Sequence, residues 1–238
     1  MHQKRESIYE SGAYGRMVPD WHESDAPWKA EQILRLLSDH GVWPATVVEV
    51  GCGSGRVLAE VSRGLPSLTS ALGLDVAPQA IAAAKERHAS DKVSFRQGSI
   101  DADPTVYDLL LMIDVMEHVD DYLGFMRGLR GHAARFVFHI PLDLSLSALV
   151  RDQQIRTRTE VGHLHYFSKA TALATVADAG FRVVEARYTD GALSLASGRR
   201  GLRTDLGNVA RRLAQRVSAD VAAKVLGGYS LLVLAEPG

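Results

Sequence analysis

The chain has 238 residues, 46% hydrophobic and 23% charged, so it is long and apolar enough to bury a sizeable core. This composition excludes a disordered or fibrous protein. Lysine and arginine number 27 against 28 acidic residues, and the formal net charge of -1 offers no general attraction for nucleic acid or an acidic membrane.

The cysteine content and the lengths of the apolar runs exclude further classes of protein. Cys52 is the only cysteine, which excludes an intrachain disulfide and a cysteine-based zinc or iron–sulfur site within one chain. The first residues contain no apolar signal core, and no apolar run reaches the roughly 20 residues of a membrane-spanning helix. We therefore expect a soluble, cytoplasmic protein with no membrane partner.

Residues 1–45 are predicted to form an N-terminal arm followed by a helix. Tyr14, Trp21 and His22 lie among glycines and prolines, and helical periodicity begins at Trp28. Aromatic side chains in such an arm can cover a bound ligand or pack the arm onto the domain, and the two roles are compatible. We expect Tyr14, Trp21 and His22 to contact a substrate.

Short β-branched runs then alternate with helical segments. The predicted strands are 46–50, 70–75, 92–97, 107–113, 135–140, 181–188 and 231–235. The predicted helices between them are 56–61, 78–88, 121–131 and 168–179. Such alternation predicts an α/β fold with parallel strand pairing, right-handed crossovers and helices on both faces of the sheet.

Two stretches interrupt this alternation within a predicted domain of residues 46–238. Residues 142–167 are predicted to form a helical cap insertion, and residues 190–228 a helical insertion, because so long a connection needs structure of its own. The second insertion is basic. Its arginines form a face that is solvated or that contacts an acidic substrate, a subunit or a membrane surface. They are Arg199, Arg200, Arg203, Arg211, Arg212 and Arg216.

The first strand leads into a glycine-rich turn that opens a helix. Glu49 precedes Gly51, Gly53 and Gly55, which lack a Cβ and let the backbone approach a ligand closely. A dinucleotide-binding G-x-G-x-x-G pattern fails because Arg56 occupies the third glycine position, and no Gly-Lys-Ser/Thr of a P-loop follows. The turn therefore favours neither NAD nor a nucleoside triphosphate.

A G-x-G-x-G turn after an acidic residue resembles motif I of the class I S-adenosylmethionine-dependent methyltransferases. Asp75 ends the second strand, 20 residues after Gly55, where a carboxylate can accept hydrogen bonds from both ribose hydroxyls. Residues 95–100 are similar to the third-strand segment of this family. Residues 107–119 resemble the fourth-strand motif of its small-molecule branch, which ends in Glu-His-Val. The resemblance implies a Rossmann-like, doubly wound, mostly parallel seven-stranded sheet.

The resemblance also implies S-adenosylmethionine as the cofactor, and it assigns most of the residues that bind it. Lys29 is available for the methionyl carboxylate. Ser99 stands where the family often has an acidic residue, so its hydroxyl or the main chain of Ile100 would replace that contact to the adenine amine. The implied cofactor-binding residues are Lys29, Glu49, Gly51, Cys52, Gly53, Gly55, Asp75, Val76, Ser99, Ile100, Asp114 and His118.

Methyl transfer to a hydroxyl requires a proton acceptor, and histidine is the side chain most easily tuned for that role near neutral pH. We expect the catalytic base to be one of His139, His163 and His165, and we expect Tyr166 to face the substrate. A structural role is also open for His118 and for His139. The three candidate bases with a carboxylate could bind zinc or iron. Their spacing matches no metal signature, so we expect no metal.

The sequence predicts a methyltransferase acting on a small polar molecule, with oxygen as the favoured acceptor, in a biosynthetic or tailoring pathway. Amide or nucleobase nitrogen is disfavoured, because Asp114-Val115-Met116 stands where the Pro-Pro-aromatic motif for such acceptors is expected. The alternatives are N- or C-methylation of a natural-product or sugar intermediate, a non-catalytic cofactor-binding subunit, and an NAD-dependent oxidoreductase. We expect a monomer or homodimer without a nucleic-acid partner. No motif specifies the methyl acceptor.

Overall fold

The computed structural model describes residues 23–190 and 218–238. Tyr14, Trp21, His22 and the arginines between 199 and 216 lie outside these ranges. The described strands are β1 (Thr46–Val50), β2 (Ser70–Asp75), β3 (Val93–Gln97), β4 (Tyr107–Ile113), β5 (Ala133–Pro141), β6 (Phe181–Thr189) and β7 (Ser230–Pro237).

The described helices are α1 (Ala26–Asp39), α2 (Arg56–Gly64), α3 (Pro78–His88), α4 (Tyr122–Leu129), α5 (Leu146–Val150), α6 (Gln153–Glu160), α7 (Lys169–Asp178) and α8 (Ala219–Leu226). Two 3₁₀ turns span Ile100–Ala102 and Met116–His118. Within residues 23–190 and 218–238, none of the helices has the length and apolarity that crossing a membrane would require.

The seven strands form one sheet in the order β3-β2-β1-β4-β5-β7-β6. Strands β1 to β5 pair in parallel, whereas β7 runs antiparallel to both β5 and β6. The α/β, mostly parallel seven-stranded fold is therefore confirmed. The strand order reverses direction between β1 and β4, and ligands of open α/β sheets bind in the crevice beyond such a point.

The buried stretches of the central strands are mostly apolar because helices cover both faces of the sheet. In β4, Leu109, Leu110, Leu111 and Met112 are all fully buried. Leu110 packs into the core formed with α4, α7 and α8, whereas Leu109 packs into the core formed with α1, α2 and α3. Side chains that alternate between two covered faces leave few positions for polar residues, which explains the continuous hydrophobic runs.

Strand register brings the predicted site residues to one edge. Ile113, the last residue of β4, pairs with His139 of β5, and Leu74 near the end of β2 pairs with Val50 of β1. The carboxyl ends of these four parallel strands therefore lie side by side. The loops that follow them carry the chemistry described next.

Candidate active site

A cavity of about 500 Å³ lies at the carboxyl edge of the sheet. Its volume falls within the roughly 300–1,000 Å³ of typical small-molecule sites. Its walls come from the start of α1, the glycine turn after β1, the ends of β2, β4 and β5, and the segment before α7. The predicted site residues that line it are Lys29, Glu49, Gly51, Cys52, Gly53, Asp75, Val76, Ser99, Asp114, His118, His139 and His163.

The glycine turn folds over the end of β2. Gly51 and Gly53 have φ angles of 73° and 52°, a region that favours glycine. The N–H of Gly51 donates to the carbonyl of Leu74 at 2.8 Å, and a Cβ at Gly51 would collide with Val115. The turn thus places bare backbone against the cavity.

Gly55 has a packing role in this turn. It also adopts a positive φ, of 82°, but a Cβ there would overlap the ring of Phe95. Gly55 does not line the cavity, and neither does Ile100, which is fully buried. The structure therefore separates these two residues from the other predicted cofactor contacts.

The carboxylate of Asp75 is fixed by backbone donors. The N–H of Gly53 donates to Oδ2 at 2.9 Å, and the N–H of Ala77 donates to Oδ1 at 2.8 Å. Burial raises the pKa of Asp75 above its usual value, although both N–H groups oppose the change. Each oxygen retains a lone pair, so the carboxylate can still accept further hydrogen bonds.

Lys29 lies between two carboxylates. Its Nζ is 2.9 Å from Asp25 and 2.8 Å from Asp114. Burial lowers the pKa of Lys29, but the charges of Asp114 and Asp25 outweigh it, and the pKa ends above its usual value. The ammonium has three donors, so one remains for a ligand carboxylate.

Asp114 also binds His139. Oδ1 of Asp114 lies 2.6 Å from Nδ1 of His139, and Nε2 of His139 lies 2.9 Å from the hydroxyl of Thr189. Asp114 adopts a φ of 54°, unusual for a residue other than glycine. Burial raises its pKa, but His139 and Lys29 hold it well below the usual range.

His139 lines the cavity but has no ring nitrogen without a partner. Its side chain is 4% exposed, and the edge of its ring faces Trp28 at 6.4 Å between centroids. A proton could reach His139 only if its bond to Asp114 or Thr189 broke. This geometry favours a supporting role over the predicted role of general base.

Glu49 is a buried carboxyl group at the back of the cavity. It is 2% exposed, and its Oε2 has no hydrogen-bond partner within residues 23–190 and 218–238. Burial raises the pKa of Glu49 to about 8, although the charge of Lys29 opposes the change. An unsatisfied buried oxygen is costly and marks a position where a ligand donor would be stabilised.

His163 contacts a carboxylate at the wall of the cavity. Its Nδ1 lies 2.6 Å from Oδ2 of Asp143, which leaves Nε2 as the nitrogen able to accept a proton. Nδ1 of His118 lies 3.2 Å from the carbonyl of Gly162, and the His118 and His163 rings meet edge to face at 4.9 Å. The two histidines thus form a pair at the cavity wall.

Two further predicted residues, besides Gly55 and Ile100, lie away from the cavity. The His165 ring packs on Tyr122 at 4.5 Å, and its Nε2 is buried. The Tyr166 hydroxyl donates to the carbonyls of Gln154 and His163 at 2.8 and 3.1 Å. Neither side chain lines the cavity, so we assign His165 to packing and Tyr166 to holding the cap segment.

Four residues with clear roles here were not predicted as site residues: Trp28, Glu117, Asp143 and Thr189. Trp28 and Glu117 line the cavity, while Asp143 and Thr189 hold His163 and His139. Glu117 stands in the Glu-His-Val signature, so that signal was available. Asp143 is 20 residues from its partner His163, and Thr189 is 50 residues from its partner His139, so no local sequence pattern indicates these contacts.

These features fit S-adenosylmethionine. Asp75 presents a carboxylate that can accept hydrogen bonds from ribose hydroxyls, Lys29 presents a cation that suits a methionyl carboxylate, and Val76, 44% exposed, offers an apolar surface. Acidic residues also outnumber basic ones along the wall, even without Glu49 and Glu117, whose pKa values are raised, and this favours a positively charged sulfonium. The remaining acidic residues are Glu23, Asp25, Asp75 and Asp114, and the basic ones are Lys29 and Arg56.

Comparison with known families agrees with this geometry. The model of the family described as "Methyltransferase domain" matches residues 21–186, and the chain belongs to this family. It is a class I S-adenosylmethionine-dependent methyltransferase. This assignment favours the predicted enzyme over the NAD-dependent and non-catalytic alternatives. A comparison with curated protein sequences finds no match.

Solved structures share the fold at low identity. A chain from the complex between the Haloferax volcanii Trm112 methyltransferase activator and a methyltransferase has a TM-score of 0.65 and 16% identity, covering 98% of this chain and 97% of that one. Magnesium protoporphyrin IX methyltransferase from Synechocystis PCC 6803, with bound S-adenosylhomocysteine, has a TM-score of 0.60 and 14% identity. That match covers 89% of this chain and 83% of that one. The mitomycin 7-O-methyltransferase MmcR has a TM-score of 0.60 and 19% identity, and the match covers 90% of this chain and 55% of that one.

Proposed function

We propose that this enzyme methylates a hydroxyl oxygen of a small polar molecule. The observation that carries the proposal is the pairing of His163 with Asp143 at the cavity wall, 2.6 Å apart. A hydroxyl is almost fully protonated near neutral pH and gains from a base, whereas a free amine attacks unaided once it is neutral. Similarity to the fold of a mitomycin 7-O-methyltransferase is compatible with this acceptor class.

Each part of the cavity has a distinct task. When bound, S-adenosylmethionine supplies the methyl group on its sulfonium. Asp75 and Lys29 orient the nucleoside and methionyl ends, and Glu49 offers its buried oxygen to a donor. Nε2 of His163 accepts the hydroxyl proton, while Asp143 keeps the other nitrogen protonated and stabilises the imidazolium. The apolar residues of the wall exclude water from the reaction.

The size of the cavity supports a small acceptor. Its walls come from α1, the ends of four strands and the segment before α7, and its volume of about 500 Å³ leaves limited room beside a bound nucleoside. The net charge of -1 also gives no general attraction for nucleic acid.

The test is transfer of a labelled methyl group to matched panels of small hydroxyl and amine acceptors. With a hydroxyl acceptor, His163→Ala should lower single-turnover rates by about 10²–10⁴-fold and leave S-adenosylhomocysteine affinity nearly unchanged. His132→Ala is the matched control, because His132 lies before β5 at the opposite edge of the sheet. Methylation of amines alone, or losses below about threefold in His163→Ala, would contradict the proposal.

A further inference from the structure

Three potential metal ligands converge at the same wall of the cavity. One donor atom each from Glu117, His118 and His163 lies within 4.8 Å of the other two. Oε1 of Glu117 is 3.8 Å from Nε2 of His118. Metal–ligand bonds of about 2.1 Å place two ligands about 3.0–4.2 Å apart, depending on the angle between them. Small side-chain adjustments would therefore bring all three donors onto one ion.

Glu117 supplies the second, independent observation. The residue is 1% exposed and lines the cavity, yet neither of its carboxylate oxygens has a hydrogen-bond partner in the described part of the chain. A buried carboxylate without such partners is strongly destabilising. A cation would remove this cost.

Both histidines are oriented for binding through Nε2. Asp143 lies 2.6 Å from Nδ1 of His163, and the carbonyl of Gly162 lies 3.2 Å from Nδ1 of His118. Metal-bound histidines usually donate their other ring N–H to a carboxylate or a backbone carbonyl, which fixes the tautomer and orients the ring. Both arrangements occur here.

The backbone holds the cluster together. Glu117 and His118 are adjacent in the 3₁₀ turn Met116–His118, so their side chains start from one rigid element. The carbonyl of Glu117 accepts hydrogen bonds from the N–H groups of Leu164 and His165 at 2.7 and 3.1 Å. These bonds fix the segment that carries His163 against the turn and preorganise the three side chains.

We infer that Glu117, His118 and His163 form a binding site for a first-row divalent metal ion. Two imidazoles and one carboxylate suit Zn²⁺, Fe²⁺, Co²⁺ or Mn²⁺, whereas Mg²⁺ and Ca²⁺ prefer oxygen ligands. Three protein ligands leave a coordination position open for an exogenous oxygen. The histidines involved differ from the set considered in the sequence, since both ring nitrogens of His139 have partners and His165 lies outside the cavity.

The role of the ion, though not its binding, rests on the proposed function. An acceptor hydroxyl in the open position would have its pKa lowered by the ion and would release its proton to solvent. In the metal-loaded protein His163 is then a ligand, and the ion replaces it in activating the hydroxyl. Proton abstraction by His163 needs no metal. Whether the methylation rate depends on an added metal ion therefore distinguishes activation by the ion from activation by His163.

Zn²⁺ titration of the metal-stripped, full-length protein tests the site by calorimetry, with metal analysis after dialysis. We expect one Zn²⁺ per chain. Glu117→Gln and His163→Ala should each weaken binding by at least about 100-fold, and Asp143→Asn by about 10–100-fold. The control His132→Ala should bind as the wild type does. No bound Zn²⁺ in the wild type, or equal binding in the Glu117 and His163 variants, would overturn the inference.

Measurements on the same samples separate this inference from the proposed function. Unfolding curves establish whether each variant is folded. If Glu117→Gln does not fold, His163→Ala still tests the metal site. Specific Zn²⁺ binding without methylation of any hydroxyl would support the metal site and contradict the proposed function. Hydroxyl methylation by a chelator-treated protein that binds no Zn²⁺ would support the proposed function and contradict the metal site.

Discussion

Nδ1 of His139 lies 2.6 Å from Oδ1 of Asp114, and the same carboxylate holds Lys29 at 2.8 Å. This chain of contacts joins the ends of β4 and β5 to the start of α1. It places a fixed cation at the cavity and satisfies Nδ1 of the buried His139 ring, while Thr189 satisfies Nε2. We therefore expect His139 and Asp114 to support the cofactor end of the site and His163 to serve the chemistry.

The first prediction concerns His139. Replacing it by Ala removes a buried ring and leaves Asp114 and Thr189 without their partner, so the free energy of unfolding should fall by about 2–4 kcal/mol. Urea unfolding measures this change. Single-turnover rates at saturating cofactor should fall far less than in His163→Ala. A rate loss in His139→Ala as large as in His163→Ala, in a folded protein, would return His139 to the role of base.

The second prediction compares two glycines. Gly41 and Gly55 have φ angles of 61° and 82°, but a Cβ at Gly41 meets nothing within 4 Å, whereas one at Gly55 overlaps Phe95. Gly41→Ala should therefore cost about 1–2 kcal/mol of unfolding free energy from backbone strain alone. Gly55→Ala should cost about 1–3 kcal/mol more because the core must shift. Equal losses in urea unfolding would show that Phe95 does not constrain the turn.

The third prediction uses the raised pKa of Glu49, which is about 8 against an ordinary 4.5. Between these pH values the folded protein keeps a proton that the unfolded chain has lost, so the unfolding free energy falls as pH rises. Relative to Glu49→Gln, the wild type should lose up to about 4 kcal/mol between pH 5 and pH 9.

Urea unfolding of wild type and Glu49→Gln across this pH range checks the prediction. Glu86→Gln, a change at an exposed helical residue, is the matched control and should follow the wild-type curve. Parallel pH profiles for wild type and Glu49→Gln would mean that Glu49 is ionised in the folded protein at neutral pH.

Much of the fold was predictable because local signals agree with tertiary structure. Strands β1, β2 and β4 and helix α3 begin and end at the predicted residues, since β-branched or apolar runs bounded by turn residues leave little choice. The antiparallel direction of β7 was not predicted. It depends on how the chain returns between β5 and β6, and no periodicity within a strand encodes its direction.

The candidate site divides in the same way. Asp75 and the glycine turn follow from local motifs at the ends of β2 and β1, and the structure brings them together. The partners of His139 and His163 come from distant segments, so sequence spacing could not separate a histidine with two satisfied nitrogens from one facing the cavity. Glu117 and Asp143 lie in segments whose roles depend on packing of the cap against β4 and β5.

The most direct test of this account is calorimetric titration of S-adenosylhomocysteine into wild type and Asp75→Ala, with Asp91→Ala, a change at an exposed residue, as the matched control. We expect wild type and control to bind alike. Asp75→Ala should bind about 10–100-fold more weakly, because a carboxylate acceptor for the ribose hydroxyls is lost. An unchanged dissociation constant in a folded Asp75→Ala protein would contradict the placement of the cofactor in this cavity.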